Sequence, residues 1–171
     1  MLLKPFLNVF QRSVRCLDFA LCWTLIFLMG FMVLNVLWQI STRFVLSSPS
    51  SYTEEIARFL LIWIGLLGGC HAYRVGAHLG LDILASKLQQ RGRQYLQWLI
   101  SVAVLGLAGS VLVYGGGKLM LLTHELQQTS AAMGIPMYAV YVVLPLSGGI
   151  LCLYALDALL SGADLHRDSQ S

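Results

Sequence analysis

Two short stretches concentrate the side chains that could do chemistry. In SYTEEIARFLLIWIG, residues 51–65, Glu54, Glu55 and Arg58 stand at the entrance to an apolar run. In HAYRVGAHLGLD, residues 71–82, Arg74, His78 and Asp82 recur every four residues, with His71 three before Arg74. On a helix that spacing puts them on one stripe. Imidazoles and carboxylates can bind haem, relay protons or hold a metal, and the pattern argues against each. A haem anchor needs two histidines at matching depth on facing helices, whereas His71 and His124 fall at opposite ends of apolar runs. Proton coupling needs an acid inside the membrane, whereas Asp18 and Asp157 lie at the edges of such runs. The four cysteines, Cys16, Cys22, Cys70 and Cys152, show neither CxxC nor metal-ligand spacing and read as buried thiols. No GxxxxGK[ST], HExxH or strand-borne GxGxxG occurs. The chain reads as a non-enzyme that carries no cofactor and no metal site.

What must position these residues follows from composition. Of 171 residues, 57% are hydrophobic and 11% charged, against about 25% charged in an ordinary soluble domain. A bilayer core about 30 Å thick takes about 20 apolar residues per helix. Four windows meet that length, at about 19–40, 56–73, 96–122 and 137–160. The fold expected is an all-α membrane protein, one domain over residues 1–171 with four transmembrane helices. Arg58 and Lys118 lie near the ends of their windows, from which they can snorkel. The first run is too long for a signal h-region and has no A-x-A-like site after it, so it is expected to be retained.

Eight of the eleven basic residues, Lys4, Arg12, Arg15, Arg74, Lys87, Arg91, Arg93 and Arg167, fall on one side of this arrangement. The positive-inside rule then places both termini in the cytoplasm. Residues 4–17 are weakly amphipathic, through Phe6, Val9, Phe10, Val14 and Leu17, and read either as a helix on the cytoplasmic surface or as a disordered basic tail. Between spans two and three, Leu79, Leu81, Ile83, Leu84 and Leu88 continue an apolar pattern, so span two extends into the cytoplasm or bends into a second surface helix.

The opening stretches fit this frame in two ways each. Ser51 and Glu54 match a capping box, and Glu54 and Glu55 can pair with Arg58 on their own helix. Alternatively, the three charges form an acidic outer rim that docks a soluble periplasmic partner or anchors a neighbouring subunit. Arg74, His78 and Asp82 are either a local stabilising array or a polar contact to a partner helix that sets orientation. Gly65 and Gly69 form a GxxxG, and Gly115, Gly116 and Gly117 smooth one end of span three. Such small residues let helices approach closely, within one chain or between subunits.

The stretch YTEEIARFLLIWIGLLGGCHAYRVGAHLGLDIL, residues 52–84, resembles the signature of the small membrane subunit of tripartite ATP-independent periplasmic (TRAP) transporters, the DctQ type. A second stretch, GIPMYAVYVVLPLSGGILCLYAL, residues 134–156, is similar to that family's fourth span. Together with length and four spans, the resemblance covers nearly the whole chain. Tyr52–Thr53 departs from it, since many relatives have tryptophan before the acidic pair, which leaves the docking contact open.

The resemblance implies a scaffold subunit in the bacterial inner membrane. It would support a large multi-span subunit in sodium-driven import of an organic acid, such as sialic acid or a C4-dicarboxylate, captured by a periplasmic binding protein. Sodium is expected on the large subunit. Glu54, Glu55 and Arg58 would then belong to the periplasmic side of the assembly, and Arg74, His78 and Asp82 to its cytoplasmic edge. Two other readings stay open on the residues alone. One is a free-standing homo-oligomeric carrier or channel with Gly65 and Gly69 at its seam; the other is a membrane anchor of a redox complex.

Overall fold

The computed structural model describes residues 3–45, 51–75 and 90–168. Among these, regular structure is helical. Helix α1 runs Leu3–Val45, α2 Ser51–Val75 and α3 Gln90–Leu107; a π-helical stretch, Ala108–Gly115, leads into α4, Gly116–Glu125. A short α5, Met137–Tyr141, precedes α6, Val143–Asp168. Four segments are long and apolar enough to cross a membrane: Gln11–Phe44, Ser51–Val75, Trp98–Glu125 and Met137–Leu159. They coincide with the four windows expected from the sequence.

Helix α1 is longer than its apolar window. Its 43 residues extend about 65 Å at 1.5 Å per residue, more than the roughly 40–45 Å of a bilayer with its headgroups. Residues 4–17 are therefore the first turns of one continuous rod. No breaker interrupts it, and Pro5 sits in its first turn, where the missing N–H has no intrahelical partner to lose. Val14 is 3% exposed and Leu17 packs beside it, so this segment already belongs to the bundle. The apolar pattern at 79–88, with its surface-helix expectation, lies outside the described residues.

The core is a seam between α1, α2 and α6, made of Val14, Leu21, Leu67, Cys70, Val143, Ile150 and Tyr154. Helix α6 occupies the centre. Of the most apolar window of the fourth span 39% is buried, against 6% for the first, because α6 also receives the third span on its other side. That contact is set by two glycines. A Cβ on Gly148 would lie 2.7 Å from Leu112 Cβ, and one on Gly116 2.6 Å from Leu144 Cβ. Neither position has room for a methyl group, so backbone meets side chain directly. Between these contacts the chain adopts the π geometry, and the Gly116 N–H reaches back five residues to the Val111 carbonyl.

Pro145, expected inside the fourth span, stands in the first turn of α6. The span divides at Val142, whose N–H still bonds the Tyr138 carbonyl at 3.0 Å. A proline that cannot donate to the turn before it is accommodated where a helix begins.

Candidate functional site

Two polar clusters close the bundle, one at each end. The first gathers at the start of α2. Nη2 of Arg58 donates to Oε1 of Glu54 at 2.6 Å, one turn apart and exposed, as the i, i+4 spacing predicts. Glu55 does something the sequence did not disclose. Its Oε2 accepts from the backbone N–H groups of Ala132 and of Met133, each at 3.1 Å. The carboxylate thereby clamps the turn between α4 and α5.

That turn is itself tightly built. Ser130 N–H donates to the Ile135 carbonyl at 2.8 Å and Gly134 N–H to the Ser130 carbonyl at 3.1 Å. Thr129 and Pro136 form an isolated antiparallel bridge. Gly134 takes φ +66°, a conformation side chains disfavour. At the same end, Asn35 Nδ2 donates to the Thr53 carbonyl at 2.8 Å, tying α1 to α2.

The second cluster lies where α1 enters the bundle and α2 and α6 leave it. Arg74 Nη1 donates to Asp157 Oδ2 at 2.5 Å, with the Asp157 side chain 7% exposed. The Arg74 guanidinium also sits 5.6 Å over the Tyr154 ring, within cation–π range. The Tyr154 hydroxyl donates to Asp18 Oδ1 at 3.4 Å. His71 Nδ1 lies 3.1 Å from the same oxygen, placed to donate when it carries a proton. Beside these, the Tyr73 hydroxyl donates to Ser101 Oγ at 3.3 Å and links α2 to α3. Five side chains from three helices thus form one connected network, in which each acid has a donor.

Arg74 finds an acid on α6, in Asp157. His78 and Asp82 lie outside the described residues. Asp18, Tyr154 and Asp157 escaped selection because each finds its partner on another helix; a periodicity of polar positions within a helix carries no signal for such partners. Among the described residues, a Cβ on Gly65 or Gly69 meets nothing within 4 Å. The close-packing glycines are Gly116 and Gly148.

No group of three or more His, Cys, Asp or Glu side chains suited to a metal occurs among the described residues. One apolar groove of about 350 Å³ opens sideways between α1 and α2, lined by Leu28, Ile56, Phe59, Leu60, Trp63 and Ile135. What the polar side chains do chemically is hold helices together: they fix the angles and ends of a bundle whose long flanks are apolar.

The sequence is also similar to known proteins. Residues 32–165 match the family model described as Tripartite ATP-independent periplasmic transporters, DctQ component. The chain is 33% identical over 88 residues to the Sialic acid TRAP transporter small permease protein SiaQ of Vibrio cholerae serotype O1, a match of 52% of this chain and 51% of that one. It is 26% identical over 111 residues to the C4-dicarboxylate TRAP transporter small permease protein DctQ of Rhodobacter capsulatus, covering 62% and 46%. The match therefore spans about half the length of these two relatives. With the Isethionate TRAP transporter permease protein DctMQ of Oleidesulfovibrio alaskensis it shares 36% identity over 114 residues, 66% of this chain and 18% of that longer one. With the family model covering well over half of its residues, the chain belongs to the DctQ component family of tripartite ATP-independent periplasmic transporters.

Proposed function

We propose that this chain is the small, non-catalytic scaffold subunit of a TRAP transporter. It steadies a large multi-span subunit that imports an organic acid, delivered by a periplasmic binding protein and driven by sodium bound to the large subunit. As a family member with four helices of spanning length, it is a multi-pass protein of the inner membrane. Both termini face the cytoplasm in this reading, which puts the Glu55 end in the periplasm.

The observation that carries the proposal is the division of labour between polar and apolar side chains. Every buried side-chain polar atom among the described residues has a hydrogen-bond partner, and the charged ones lie in the two end clusters. Outward along the third span stand Leu107, Val111, Leu121 and Leu122, each more than half exposed. A carrier needs polar groups at mid-membrane that can exchange partners with solute or ion; a scaffold needs fixed ends and a broad apolar flank. The long relative DctMQ supports the same reading, since a segment like this chain forms 18% of a permease chain. The names of three relatives, sialic acid, C4-dicarboxylate and isethionate, support an organic acid as solute. No cofactor is part of this proposal.

Affinity purification of the tagged chain from membranes of its native host tests it. Recovery of a stoichiometric multi-span partner is expected. A clean homo-oligomer without a partner, moving solute alone in vesicles, would overturn the scaffold role in favour of a free-standing carrier.

A further inference from the structure

Helix α1 presents a second surface, on the side turned away from the core seam. At 100° per residue, Arg12, Arg15, Phe19, Trp23, Ile26 and Phe27 fall on the face opposite Val14 and Leu21. All six are exposed. Phe19 and Trp23 meet edge to face, with ring centroids 6.2 Å apart. Neither arginine forms an ion pair among the described residues.

The vertical order of these side chains matches one leaflet. Arg15 and Arg43, both exposed on α1, stand about 42 Å apart along the axis, close to the roughly 40–45 Å between opposite headgroup layers. Arg12 and Arg15 thus lie at phosphate level. From Arg15 to Phe27 is about 18 Å, near the depth of half a hydrocarbon core. Guanidinium groups recognise phosphate through several N–H donors, and Phe19 and Trp23 follow about 6 and 12 Å deeper along the axis, at acyl-chain depth. A protein helix is the poorer fit, because helix contacts in lipid favour small residues and this stripe carries large, projecting ones.

We propose that this face of α1 is a binding site for an anionic phospholipid. Arg12 and Arg15 hold the headgroup phosphate, and an acyl chain lies along Phe19, Trp23, Ile26 and Phe27. The attraction distinguishes anionic from zwitterionic lipid by roughly fivefold per arginine, so on the order of tenfold or more for the pair.

The test uses the full chain in phosphatidylcholine nanodiscs containing increasing amounts of brominated phosphatidylglycerol or brominated phosphatidylcholine. The readout is the tryptophan emission that disappears in Trp23→Phe. Half-quenching is expected at on the order of tenfold less phosphatidylglycerol than phosphatidylcholine. Arg12→Gln with Arg15→Gln should abolish that difference. Arg12→Lys with Arg15→Lys should retain most of it, and Lys118→Gln, at the other end of the bundle, should leave it intact. Equal quenching by both lipids in the unaltered chain, or a preference that survives the double glutamine variant, overturns the proposal. Quenching by neither lipid also overturns it, because no acyl chain would then lie against Trp23.

Discussion

Arg74 on α2 and Asp157 on α6, 83 residues apart in sequence, meet at 2.5 Å. The pair pins the end of the second span to the end of the fourth. Removing Asp157 leaves a guanidinium in a half-buried site facing a ring and no counter-charge. Asp157→Asn should destabilise the chain, near the low end of the roughly 3–5 kcal/mol that breaking a buried pair costs, since Arg74 retains 27% side-chain exposure. Arg74→Gln combined with Asp157→Asn should cost less than the two single changes added together. Thermal unfolding in detergent, followed as a double-mutant cycle, measures the coupling; strict additivity would mean the contact contributes nothing.

Tyr154 separates packing from hydrogen bonding within the same network. Tyr154→Phe keeps the ring under Arg74 and loses one donor to Asp18, an expected cost of about 0.5–1.5 kcal/mol. Tyr154→Ala removes a side chain 1% exposed and should cost about 3–5 kcal/mol. Similar losses in both variants would show that the hydroxyl, and not the ring, dominates.

The two neighbouring glutamates should behave differently. Glu54 and Arg58 are an exposed pair, worth roughly 0–0.5 kcal/mol, so Glu54→Gln should leave stability and amide exchange nearly unchanged. Glu55→Ala should speed exchange at the Ala132 and Met133 amides several-fold, because the carboxylate is their acceptor. If the turn also meets a binding protein, uptake falls more in Glu55→Ala than the amount of assembled complex does. Equal losses of uptake and complex would make Glu55 a purely structural clamp.

Glycine positions give a test of inside against outside. Gly148→Ala must displace Leu112 or Val113 and should cost about 1–3 kcal/mol in the isolated chain. Gly65→Leu and Gly69→Leu meet open space and should leave the isolated chain as stable as before. If the GxxxG stripe faces the large subunit, those two changes reduce the partner recovered on purification. Unchanged recovery would assign the stripe to lipid.

The four helices were legible because a lipid environment imposes a length and a composition on every span, and a run of apolar residues records both. The Glu54–Arg58 pair was legible because its spacing is the helix's own. The Arg74–Asp157 contact was not legible, because Asp157 is brought to Arg74 across 83 residues of chain whose path no periodicity encodes. Glu55 likewise found the Ala132 and Met133 amide groups, 77 and 78 residues away in sequence, a partnership fixed only once the turn had closed. The glycine motif most visible in sequence, Gly65 and Gly69, meets no neighbour among the described residues, whereas Gly116 and Gly148 matter through what lies opposite them.

The π-helical stretch in span three has a bearing on the family as well as on this chain. Its wider turn houses one residue beyond what an α-helix of the same rise would hold. A relative that lacks that residue could keep the same loop and the same bilayer span, yet the side chains beyond it would be rotated by about 100° relative to those before. Tyr114 and Lys118 would then point elsewhere, while Gly116 would lose its place against Leu144. Phase along the helix, set by a single insertion, is thus a variable by which related subunits can turn one half of a span toward a different neighbour without altering its length.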